Sequence, residues 1–75
     1  MKYLGRLDNI IFNGKFIVRT TFKPKLWSNV VDKHKNKIGR VYQIIGPVKE
    51  PYIIINPEKN VKASFNMIGI DLYLI

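Results

Sequence analysis

Asn9-Ile10-Ile11-Phe12-Asn13-Gly14-Lys15-Phe16-Ile17-Val18-Arg19 is the stretch that decides the fold. Two apolar, β-rich runs flank an Asn-Gly pair, the strongest short-range signal for a hairpin, because a type I′ turn needs positive φ at both central residues. Upstream, Tyr3-Leu4-Gly5-Arg6-Leu7 lengthens the first arm, and Thr20-Thr21 lengthens the second. In that second arm Phe16, Val18 and Thr20 share one face while Ile17, Arg19 and Thr21 share the other, which the Arg and Thr mark as wetter. Lys23-Pro24 ends the arm, since proline cannot donate to a strand ladder and biases its predecessor toward extended backbone.

Beyond the hairpin, a short loop carries Leu26 and Trp27, and Val30-Val31 begins another strand that runs into a polar connection, Asp32-Lys33-His34-Lys35-Asn36-Lys37. Residues 38–45 form the longest strand candidate, closed by Gly46-Pro47. Simple alternation sets Val41 and Gln43 against Arg40, Tyr42 and Ile44, so both faces are mixed. Pro51 introduces a compact strand over residues 52–55, and Asn56-Pro57 stops it. Residues 58–61 are a polar link, Phe65, Met67 and Ile68 belong to a further short element, and residues 70–75 close the chain as a last strand. No window repeats its apolar residues at helical spacing. Four prolines and five glycines punctuate the 75 residues about every tenth position, the spacing of a small sandwich or barrel. The expectation is an all-β single domain over residues 1–75, a small closed six-stranded barrel, because closure removes aggregation-prone edges.

Composition narrows the partners. Thirteen Lys and Arg against five Asp and Glu give a net charge of +8, which concentrates polyanions around the molecule. Nucleic acid is the leading partner class; a membrane surface would call for a basic amphipathic helix that the pattern does not supply. The apolar fraction of 47% is that of a folded domain and leans on Ile, Val, Phe and Tyr. Without cysteine there is no disulfide framework and no thiolate zinc site. No signal-peptide pattern is expected to direct export, and the apolar runs fall short of the roughly 20 residues of a membrane helix. A cytoplasmic location is the expectation.

Catalytic chemistry finds little support. His34 is the single histidine and stands between Lys33 and Lys35, whose charges disfavour its protonated form. A solvated loop residue is the better account of it. Asp8, Asp32, Glu50, Glu58 and Asp71 are scattered, no glycine-rich phosphate loop opens a helix, and one histidine is too few for zinc. Neither a catalytic residue, a metal nor a cofactor is expected.

What carries information is residues 38–52, Ile-Gly-Arg-Val-Tyr-Gln-Ile-Ile-Gly-Pro-Val-Lys-Glu-Pro-Tyr. It reads as strand, rigid turn, strand. Gly46 reaches backbone conformations closed to other residues, Pro47 fixes the following φ, and Pro51 repeats the stiffening. A loop with two prolines loses little entropy on binding, so its exposed apolar atoms are pre-organised for a partner. The pattern Ile38-Gly39-x-Val41, Ile45-Gly46-Pro47-Val48, Pro51-Tyr52 resembles the small β-barrel subunit of H/ACA ribonucleoproteins, the glycine-arginine-rich-protein family. Gly5, Val30 before Asp32, and Leu72-Tyr73 are supporting matches, so the resemblance covers nearly the whole chain. Glycine- and arginine-rich tails are absent, which matches the core-only archaeal type.

The resemblance implies a six-stranded barrel similar to the second domain of translation elongation factors. It implies an accessory subunit docked on the catalytic domain of the pseudouridine synthase, with H/ACA guide RNA and substrate rRNA as indirect partners. Such a subunit is thought to hold a mobile loop of the synthase aside while substrate RNA loads and product leaves. Ile44, Ile45, Gly46, Pro47, Val48, Pro51 and Tyr52 are the expected docking patch, with Tyr52 as aromatic anchor. Lys33, Lys35, Lys37 and Arg40 face RNA or an acidic protein surface, or are an ordinary solvated run. Trp27 is expected to pack in the core or at its rim, since no second aromatic accompanies it in sequence. The rival reading is a free-standing RNA-binding barrel of ribosomal or cold-shock type, which would expose several aromatics and cations on one sheet face.

Overall fold

The computed structural model describes residues 1–11 and 13–75, so Phe12, placed above at the end of the first arm, lies outside the described residues. The described residues form six strands: β1 (Lys2–Ile10), β2 (Phe16–Arg19), β3 (Asn29–Val31), β4 (Lys37–Ile45), β5 (Tyr52–Pro57) and β6 (Asp71–Leu74). Every pairing is antiparallel, in the order β1-β2-β5-β4-β3-β6, and β6 returns to β1 to close a barrel. The short apolar element near the end is a single 3₁₀ turn, Phe65–Met67, whose first N–H groups are met by Ser64.

The interior follows from alternation. Phe16, Val18, Ile53, Ile55, Val30, Val41 and Leu72 are fully buried, and Leu4, Leu7 and Ile38 complete the same cluster. Phe16, Val18 and Thr20 do point inward, with Arg19 and Thr21 outside. Register shifts bend the sheet onto itself. In β1 the shifts between Tyr3 and Gly5 and between Leu7 and Asn9 let one nine-residue strand pair with β6 along its first half and with β2 along its second. The first arm of the hairpin and its upstream extension are therefore one bulged strand.

A third shift falls in β4 between Val41 and Gln43. It corrects the simple alternation: Gln43 joins Tyr42 outside, and Ile44 turns inward against the core. The hairpin connection also differs from a two-residue Asn-Gly turn. Ile11 N–H donates to Lys15 O, and Gly14 N–H donates to Ile11 O, so Gly14, at φ +87°, follows the turn instead of occupying its centre. The three-residue separation between Ile11 and Lys15 is the next commonest hairpin closure, with glycine in the left-handed position.

Candidate protein and nucleic-acid interface

The end of β4 and the start of β5 build the corner that the sequence singles out. Ile45 pairs with Tyr52 across the two strands, and Gly46 leaves β4 at φ +90°. The chain then exposes Pro47 and Val48, the latter 87% accessible, and Ile45 is 43% accessible. Beneath them Ile44 is half-buried against the core. A shallow depression of about 200 Å³ lies between Lys23, Ile44, Gly46, Pro47, Val48 and Pro51. Pro51 is a correction: it is buried, and its carbonyl accepts the Thr20 N–H at 3.2 Å. It stiffens the corner from below and is not part of its outer surface. Tyr52 is half-buried, its ring flanked by Gly46 and covered on one side by the Arg19 guanidinium at 4.9 Å.

The four expected cations do not form one patch. Lys33 and Lys35 are exposed in the β3–β4 turn, Lys35 at φ +66°. Lys37 is engaged by Glu58 at 3.0 Å, and Arg40 stands on the outer side of β4 opposite Asn29 and Asn56. Asp32 organises the turn: its Oδ1 accepts the backbone N–H groups of His34 (2.8 Å) and Asn36 (2.9 Å), and its Oδ2 accepts Asn36 Nδ2 (3.2 Å). Partial burial pushes this carboxyl up, but the bonds from Asn36 and His34 outweigh it and hold it below the usual aspartate value.

A concavity of about 410 Å³ is lined by Asp32, Lys33, His34, Gly69, Ile70 and Asp71. Both carboxylates there are committed, Asp32 to its turn and Asp71 to Tyr3 Oη (2.9 Å) and Arg6 (3.6 Å). Among the described residues no hydroxyl or thiol side chain lines it. Among the described residues no group of three His, Cys, Asp or Glu side chains could hold a metal ion, and no helix is long and apolar enough to cross a membrane.

Trp27 is the residue that sequence reasoning misplaced. It is 59% accessible, at φ +68°, a left-handed backbone that costs a bulky residue about 1–2 kcal/mol. Its N–H donates to Val41 O at 2.7 Å while Val41 N–H donates to Ser28 O at 3.0 Å, so the turn over residues 25–28 is clamped on β4. The ring meets Tyr42 edge-on, centroids 6.0 Å apart, and Lys15 Nζ stands 5.1 Å over the Tyr42 ring. The second aromatic lies fifteen positions away in sequence, on the outer side of β4, and comes beside Trp27 only when the turn over residues 25–28 folds onto that strand.

Compared with known proteins, the chain is 33% identical over 76 aligned residues to an uncharacterized protein of Methanothermobacter thermautotrophicus, an alignment spanning 99% of this chain and 83% of that protein. No family model matches it.

Proposed function

The chain belongs to the same family as this Methanothermobacter protein, and we propose that it is a non-catalytic accessory subunit of an H/ACA ribonucleoprotein. In this reading it docks on the catalytic domain of the pseudouridine synthase in the cytoplasm and favours the loop state that lets substrate RNA load and product leave. The observation that carries the reading is the exposed Ile45-Gly46-Pro47-Val48 corner held stiff above a buried Pro51. A closed barrel gives each strand two neighbours over part of its length and so leaves little free edge for a partner strand. A rigid apolar loop is another route to a partner, and this corner loses little entropy when covered. A subunit docked there biases a partner's loop only through different contacts with its two states; about 1.4 kcal/mol shifts that balance tenfold.

The test is co-elution of the purified chain with an H/ACA-type synthase at micromolar concentration. Pro47→Glu and Val48→Glu bury a charge at the joint and are expected to weaken the complex at least tenfold while the barrel stays folded. Normal binding by both variants moves the docking surface elsewhere, and absence of any complex removes the reading. The second reading, a free-standing RNA-binding barrel, draws support from Trp27 and Tyr42 standing together with Lys15 outside the barrel. Tight, sequence-selective RNA binding by the isolated chain at physiological salt would put it first.

A further inference from the structure

The outward sides of β2, β5 and β4 form a continuous surface. Arg19, Tyr52 and Ile45 face one another across the three strands, and Ile17, Ile54 and Gln43 make the next row, with Ile54 covered by its neighbours and only 7% exposed. Tyr42 stands beside that row with Trp27 against it, Lys15 reaches over the Tyr42 ring, and Arg40 follows on β4. No acidic residue occurs in β2, β4 or β5. Among the described residues Lys15, Arg19 and Arg40 form no ion pair; the pairs present are Arg6–Asp71 and Lys37–Glu58.

We infer that this face binds single-stranded RNA, with bases stacking chiefly on Trp27, propped by Tyr42, and phosphates meeting Lys15 and Arg40. Three observations carry it. First, a ring held mostly in water by a disfavoured backbone conformation contributes little to the core, yet two backbone hydrogen bonds keep it there. Second, the two rings meet edge to face and Lys15 covers one face of Tyr42, so the more exposed Trp27 is the main platform and Tyr42 props it; an exposed π-face is one that any base can stack on without sequence preference. Third, unpaired cations beside those faces match a phosphate every nucleotide, while a predominantly apolar protein partner would leave them buried and unpaired. The choice of RNA over DNA rests on the proposed function; the surface itself does not.

Trp27 is the single tryptophan, so its fluorescence reports stacking directly. Titrating the intact chain with a twelve-nucleotide oligouridylate at 50 mM salt is expected to quench Trp27 with a Kd of about 1–100 µM. The logarithmic salt slope is expected near −1.4, for two phosphates at about −0.7 each. Anisotropy of the labelled oligonucleotide is expected to show at least tenfold weaker binding to Trp27→Gly and to Tyr42→Ala. Lys15→Gln combined with Arg40→Gln should bring the slope close to zero. Trp27→Gly suits the positive φ, so the barrel stays folded and its melting temperature reports that.

Wild-type affinity in Trp27→Gly and Tyr42→Ala, or no binding by the natural chain at 100 µM, overturns the site. Trp27→Gly that loses the synthase and keeps the oligouridylate assigns the face to protein and overturns it too. Tighter binding of oligothymidylate than oligouridylate overturns the choice of RNA. Pro47→Glu is expected to keep oligouridylate affinity while losing the synthase, so the two proposals fail separately.

Discussion

Replacing Gly39 by alanine sets one methyl group against the backbone of β5. A Cβ at this position runs into the Asn56 carbonyl oxygen and stands 2.9 Å from Pro57 Cα and 3.0 Å from the Asn56 carbonyl carbon. All three are main-chain atoms that cannot rotate away, and comfortable carbon contacts begin near 3.5 Å. Relieving the contact with the Asn56 oxygen therefore requires β4 and β5 to part by about an ångström where Gly39 faces Pro57. The adjoining hydrogen bond, Glu58 N–H to Ile38 O at 2.8 Å, lengthens with them. Overpacking of this kind costs about 1–3 kcal/mol, and a weakened ladder bond about 1 more. Against a total stability of about 4–11 kcal/mol for a chain of this length, a loss of about 3 is severe. At about 4–8 °C per kcal/mol the melting temperature falls by about 12–24 °C. Gly14→Ala is the control: nothing lies within 4 Å of its Cβ, but φ is +87°, so it costs about 1–2 kcal/mol through backbone strain alone. Thermal unfolding followed by circular dichroism separates the two. Should Gly39→Ala melt as high as Gly14→Ala, the close approach of β4 and β5 is not what requires this glycine.

Thr20 Oγ1 is buried without a hydrogen-bond partner among the described residues, so Thr20→Val removes an unsatisfied hydroxyl at constant shape. It is expected to raise stability by up to about 1 kcal/mol, read as a few degrees in melting temperature; a loss above 1 kcal/mol would show that the hydroxyl is used. Phe16 is the largest fully buried side chain among the described residues, and Phe16→Ala is expected to cost about 3–5 kcal/mol, enough to populate unfolded chain at room temperature. A cooperative melt close to the natural one would contradict its central place. Asp32 has a folded pKa below its unfolded 3.8, so the unfolded chain takes up the proton first as pH falls. Its contribution is present above the unfolded value and disappears as pH drops through the folded one. Denaturant midpoints of the natural chain and Asp32→Asn are thus expected to differ at pH 7 and to draw together as the pH falls through 3.8 and on past the lowered folded value; a gap constant with pH would show that the carboxylate charge is not what the turn uses.

Periodicity made the barrel legible, and contact across the barrel decides what stayed hidden. The face assignment of β2 followed from two-residue alternation because that strand has no bulge and one dry side. Alternation failed in β4 at the shift beside Tyr42, since a bulge leaves no mark in a strand that mixes apolar and polar residues on both faces. Gly39 stood in the motif as a letter; its reason, the backbone of β5 pressed against it, exists only once residues 39 and 57 are neighbours. Of the corner, the exposure of Pro47 and Val48 matched their place in a rigid turn, but Pro51 is buried, with its carbonyl accepting the Thr20 N–H across a contact that sequence does not display. Lys37 looked like one more loop cation until Glu58, twenty-one positions on, was brought to it. Trp27 was judged by its sequence neighbours, and its partner is on another strand.

A standard protein interface covers about 800 Å² per partner, roughly a sixth of the 5176 Å² surface of this chain, so one partner does not exhaust it. From Pro47 to Tyr42 is five residues, about 17 Å along an extended strand, which is about half the roughly 32 Å diameter of a patch of about 800 Å², so distance alone does not divide the corner from the aromatic pair and the variants must. Ile45 and Tyr52 lie at the join, and the Tyr52 ring touches both sides, through Gly46 and through Arg19. Substitution of Tyr52 would therefore disturb both surfaces and discriminate neither. Pro47 and Trp27 stand at the far ends, each exposed and outside the core cluster, and their effects should be additive if two partners are bound. Should Pro47→Glu and Trp27→Gly each abolish binding of the same partner, the corner and the face are one interface and a single macromolecule covers both.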